Sequence, residues 1–210
     1  VKTLMVQARK KRQQHTSRCW RDNMFDKDYK VTGIYATYWK DLCKRQIRKD
    51  ENPEDYKKDN FKIFNTYMDC YKTAIALGIR YGRLGTLNDP DNKDEAGMLT
   101  GIMNKNHDKL VYLYQVAMLL EKERNLSEEE RIENAFQLEE FDDEGNEIPE
   151  NVARIKGNLQ LFEKYFFGGL EILHEEFVEK CTTEDDYLER IHSFTKDYFE
   201  EIQSLEEVDE

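Results

Sequence analysis

Proline occurs 3 times and glycine 10 times in 210 residues, too seldom for an architecture of strands and tight turns. Helices are what remains. No stretch of about 18 apolar residues occurs, so the sequence offers no membrane-spanning helix. The four cysteines, Cys19, Cys43, Cys70 and Cys181, lack the paired spacing of a zinc site and fit a reducing compartment as small apolar residues. The opening residues, VKTLMVQARKKR, hold too short an apolar run for a signal peptide, so the expected location is cytoplasmic. Phosphate-binding glycine loops, nucleophile elbows and HExxH zinc helices are also missing. An Arg-x4–6-His pattern of helical ribonucleases is met by Arg9 to His15, in a polar stretch without an apolar helix around it.

What is present is aromatic and charged. The chain has 11 Phe, 12 Tyr and 2 Trp, far too many for a disordered polyanion, although 36% of residues are charged. Its net charge of −12 hides a gradient. Residues 1–50 carry 14 basic and 5 acidic side chains, whereas residues 151–210 carry 6 and 16. The sequence therefore divides into a basic N-terminal region, 1–50, and an acidic helical domain, 51–210, with an acidic loop at 139–149.

The expected fold is all-α, a single domain of about six to eight helices ending in a long antiparallel hairpin. Apolar spacing predicts helices over about 34–50, 66–81 and 107–124, although VTGIYATYW at 31–39 has a β-prone start. Ser127 with Glu130 forms a capping box that opens a short helix to about Leu138. Leu159, Phe162, Phe166, Leu170, Leu173 and Phe177 form an apolar seam, and Thr183 caps a last helix with Tyr187, Ile191, Phe194, Tyr198 and Ile202 inward. Asp89-Pro90 marks a loop.

Several residue groups could carry function. Arg9, Lys10, Lys11 and Arg12, with the helical row Lys40, Lys44 and Arg48, could meet phosphates or an acidic protein, with Trp20, Tyr38 and Trp39 available to stack on bases. Arg80 and Arg83 stand among Gly78, Gly82 and Gly85, where they could pair with phosphate or simply complement a helix C-terminus. Gly168 and Gly169 follow Phe166 and Phe167 inside a helix, a costly placement that implies close backbone approach by a helix of this chain or of a partner. Glu171 with His174 and Glu189 with His192 form a doubled Glu-x-x-His, the pattern that di-iron bundles use in metal-dependent catalysis. The acidic background makes a Glu three places before a His common by chance, so no cofactor is expected.

FKIFNTYMDCYKTAIALGIRYGR (61–83) and NLQLFEKYFFGGLEILHEEF (158–177) resemble two segments of the bacterial DNA phosphorothioation-associated (Dnd-system-associated) accessory proteins, over about a fifth of the chain. The resemblance rests on Ala76-Leu77-Gly78-Ile79-Arg80-Tyr81-Gly82-Arg83 and on Phe162 to Leu173. It implies a setting beside DNA modification and anti-phage defence, with SMC-like ATPases among the neighbours, and no established activity. The sequence-level expectation is thus a non-catalytic accessory or bridging subunit. Its partner would be a larger ATPase or nuclease subunit, with DNA as a second contact of the basic region and no membrane.

Overall fold

A computed structural model describes residues 24–44 and 62–206. It is mostly helical, with one two-stranded sheet among the described residues. The described residues divide into two compact units, one within 29–98 and 161–206 and the other within 24–28 and 99–160.

The unit containing Tyr29–Met98 begins with strand β1 (Tyr29–Thr32), which pairs antiparallel with β2 (Glu95–Met98), Tyr29 opposite Met98 and Thr32 opposite Glu95. The β-prone start of VTGIYATYW is therefore a strand. Helix α1 (Ile34–Leu42) follows Gly33 and stops well short of residue 50. Cys43 turns extended and bridges to Phe64, and the Lys44 N–H donates to the Phe64 carbonyl at 2.8 Å. Helix α2 (Tyr67–Tyr81) starts where Thr66 accepts from the Asp69 N–H. It ends at Gly82, whose φ of 60° lets the Arg83 N–H return to the Gly78 carbonyl.

Aromatic rings fill this unit's core. Trp39, Tyr71 and Phe166 are all but inaccessible, with Phe166 4.6 Å from Tyr71 and 5.1 Å from Trp39 between ring centroids. Such offset and edge contacts add to the area each ring buries. Tyr29 joins them and donates its hydroxyl to Glu163 at 3.2 Å.

The other unit holds α3 (Thr100–Lys105), α4 (His107–Leu120) and α5 (Glu128–Ile132). The Ser127–Glu130 capping box is formed as expected, with both reciprocal hydrogen bonds. The helix then widens into a π-helical turn over Glu133–Gln137, where the Leu138 N–H reaches the Glu133 carbonyl. Leu110, Tyr114, Ala117 and Met118 pack inward from α4 alongside buried Ala135, Leu138 and Ile155. The acidic segment before Pro149 is an ordered turn. Asp142 accepts from the N–H groups of Glu144 and Asn146, and Phe141 bridges to Glu147.

Helix α6 (Pro149–His174) contributes residues to both units and continues as a π-helical segment, Glu175–Glu179. After a short connection α7 (Glu184–Glu206) begins. Thr183 accepts from the Asp186 N–H while the Asp186 carboxylate accepts from the Thr183 N–H, an acidic version of the capping box. Phe177 lies against both Tyr187 and Phe194, which forms the turn of the expected hairpin.

Candidate functional site

The two glycine-bearing segments meet each other. A β-carbon on Gly78 would stand 2.0 Å from the Tyr165 carbonyl oxygen, and one on Gly169 1.7 Å from that of Ala74. One on Gly168 would stand 2.0 Å from the Arg83 carbonyl oxygen. Only hydrogen fits at these crossings, so α2 and the chain leaving it lie directly on the backbone of α6. This settles which helix approaches Gly168-Gly169. It belongs to the same chain.

Phe166, Phe167, Gly168 and Gly169 therefore do not form a partner-helix surface. Phe166 is buried in the aromatic core, and Phe167 is stacked on Tyr35 at 4.2 Å.

Beyond Gly82 the chain is clamped by charge. Arg83 donates from Nε to Glu171 at 3.0 Å and from Nη1 to Glu175 at 2.8 Å, with a further Nη2 contact to Glu175. Glu171 is buried, and its other oxygen accepts from the Tyr35 hydroxyl at 2.7 Å and the Thr86 N–H at 3.1 Å. The Tyr35 oxygen in turn accepts from the Leu87 N–H at 2.8 Å. Each of these groups donates to Glu171, so both oxygens of this buried side chain are hydrogen-bonded, the condition under which a buried acidic residue is tolerated. The Arg83 guanidinium holds Glu175 below the usual carboxylate range, and burial raises the Tyr35 phenol. Arg83 is thus a clamp on its own chain, and a phosphate would have to displace two carboxylates to reach it.

His174 continues the cluster. Its ring stacks on Tyr38 at 3.7 Å, with Nδ1 3.1 Å from Glu179 and Nε2 3.5 Å from Asp41. Glu189 and His192 are exposed on α7. The doubled Glu-x-x-His is not gathered, since Glu171 faces Arg83 and Tyr35 while His174 faces Tyr38, Asp41 and Glu179. Among the described residues no group of three or more His, Cys, Asp or Glu side chains could hold a metal ion.

The basic residues marked by the sequence separate. Lys40 pairs with Asp94 at 2.9 Å, and Asp94 also accepts from Thr37. Lys44 is exposed but lies beyond the end of α1, so it does not share a helical row with Lys40. Arg80 lies over the Tyr198 ring at 4.7 Å. Trp39 is enclosed, stacks on Tyr67 and donates to its carbonyl, so it cannot stack on bases; Tyr38 is taken by His174. Arg9, Lys10, Lys11, Arg12, Trp20 and Arg48 lie outside the described residues.

Two features carried no sequence signal. Asn134 and Asn158 form a buried polar pair at 3.2 Å, reached by Arg154 and Arg124 respectively. An open cleft of about 420 Å³ lies where Gly33 starts α1, lined by Tyr35, Asn88, Asn92, Lys93 and Glu95 among others. Tyr35 was missed as the companion of Glu171 because 136 residues separate them, and no spacing rule spans that distance.

Comparison with family models, with curated proteins and with solved structures gave no match. No helix among the described residues is long and apolar enough to cross a membrane.

Proposed function

We propose that the chain is a non-catalytic helical accessory subunit of a bacterial anti-phage defence or DNA-processing complex, held to a larger ATPase or nuclease subunit through its helical surfaces. The observation that carries this reading is the mutual packing of the two signature segments. Gly78 lies against Tyr165, Gly169 against Ala74 and Gly168 against Arg83, which pairs with Glu171, so the residues that most resembled a reactive or ligand-binding set hold the two segments together. What is left for function is surface. The resemblance of residues 61–83 and 158–177 to phosphorothioation-associated accessory proteins supplies the defence setting. The balance of 14 basic to 5 acidic side chains in residues 1–50 supports a second contact of that region, with a DNA backbone or an acidic protein face.

The test is co-expression with any ATPase or nuclease found to be encoded beside its gene, followed by tandem purification and light scattering. A stoichiometric complex whose ATPase or nuclease activity depends on this chain is the expected result. Purification of the chain alone from every such co-expression overturns the reading. So does intrinsic turnover by the isolated chain that Glu171→Gln abolishes.

A further inference from the structure

Helix α7 carries eight acidic and two basic side chains over its 23 residues. Its inward row, Tyr187, Ile191 and Phe194, is half-buried. Two large apolar side chains nevertheless point away from that row, Leu188 at 61% and Phe199 at 59% exposure. They are eleven positions apart, three helical turns or about 16 Å along one line of the helix, with His192 and Thr195 between them. Asp185, Glu189 and Glu200 flank this line and are exposed. Of the two basic residues, Arg190 is paired to Glu176 and Lys196 to Glu200.

From this we infer that the Leu188–Phe199 line of α7 docks a basic amphipathic helix of a partner protein, whose apolar positions cover Leu188 and Phe199 while its arginines and lysines meet Asp185, Glu189 and Glu200. Two isolated apolar anchors in an acidic border suit that occupant. A second copy of this chain would bring its own acidic helix against them, and a nucleic acid would bring phosphates; both are opposed by charge. Phe199 is also an exposed ring available to a guanidinium, and Tyr198, T-shaped to it at 5.9 Å on the inward side, already lies under Arg80 of the same chain. Apolar anchors three turns apart on one helix face suit side-by-side packing with a second amphipathic helix, with charge setting specificity and approach rate.

The inference rests on the accessory-subunit reading for the identity of the partner, but the surface can be tested separately. The probe is a fluorescent 18-residue amphipathic helix with a leucine line and six flanking arginines, titrated by anisotropy into the full chain. A scrambled peptide of equal charge serves as reference. Leu188→Ala with Phe199→Ala is expected to weaken binding about tenfold, and Glu189→Lys with Glu200→Lys by at least as much. The charge-matched pair Glu139→Lys with Asp143→Lys should leave it within twofold. Equal losses from both charge-reversal pairs, or equal affinity for the scrambled peptide, overturn the docking surface and leave general acidity as the cause. The same variants are then carried into the co-expressed complex. A complex that survives Leu188→Ala with Phe199→Ala overturns this surface while the accessory reading stands. Absence of any complex beside specific peptide binding overturns the reading and retains the surface.

Discussion

Two glycines on one helix should respond in opposite ways to the same methyl group. At Gly169 an added β-carbon meets the Ala74 carbonyl at 1.7 Å, and neither backbone can move without opening the crossing. Gly169→Ala should therefore destabilise by about 3 kcal/mol, the upper end of overpacking costs. At Gly157, also within α6, nothing lies within 4 Å of the new carbon, so Gly157→Ala should stabilise by about 0.5–1 kcal/mol. Urea unfolding of the two variants checks both signs. The need for small residues at 168–169 was legible because glycine pairs inside an apolar helix are costly. Which backbone lay against them was not, since Ala74 is remote in sequence. Arg83→Met removes the cation from buried Glu171 and should cost about 2 kcal/mol, below the range for wholly buried pairs because Arg83 is itself 36% exposed. Glu171→Gln keeps an acceptor for Tyr35 and Thr86 and should cost less than Arg83→Met in the same measurement.

Element ends were read well where a side chain makes the cap and poorly where tertiary pairing does. Ser127 with Glu130 and Thr183 cap where the sequence put them, and the helix expected from about residue 66 starts at Tyr67 with Thr66 as its cap, because each satisfies helix N–H groups within three or four residues. Helix α1 ends at Leu42 although the basic periodicity runs on, because Cys43 is drawn into a bridge with Phe64. Strand β2 had no signal at all. Its sequence, EAGM, has little strand preference, and it is extended because β1 offers it a ladder. The π-helical turns at Glu133–Gln137 and Glu175–Glu179 were equally hidden, since inserting one residue into a helix leaves no compositional mark. The cap on α5 is the place to test local control. Ser127→Ala removes the acceptor for the Glu130 N–H and should cost about 1 kcal/mol. Its effect should appear as faster amide exchange over residues 128–132, with protection at Trp39, Tyr71 and Phe166 unchanged.

At the scale of the whole chain the charge balance sets the response to acid. Carboxylates bonded in the fold are held below their ordinary range, Glu175 by Arg83 and Asp28, Asp94 and Asp142 by hydrogen bonds. Asp186 is lowered from 3.8 to about 2 by the Thr182 and Thr183 groups that it caps. A folded pKa below the unfolded one gives stability that is complete above the unfolded value and is lost as pH falls through the folded one. Self-repulsion works in the opposite direction at first, because mild acidification relieves the net charge of −12. Further down, protonation of the 44 carboxylates leaves 32 Lys and Arg side chains without counter-charge, and both effects then favour unfolding. The thermal midpoint followed by circular dichroism should accordingly change little from pH 7 to about 5 and fall steeply between about pH 4 and 2. Asp186→Asn should start from a lower midpoint at neutral pH and lose less on acidification, so that the two curves converge near pH 2. A variant curve running parallel to the parent's over that window would show that the α7 cap does not contribute to the acid transition.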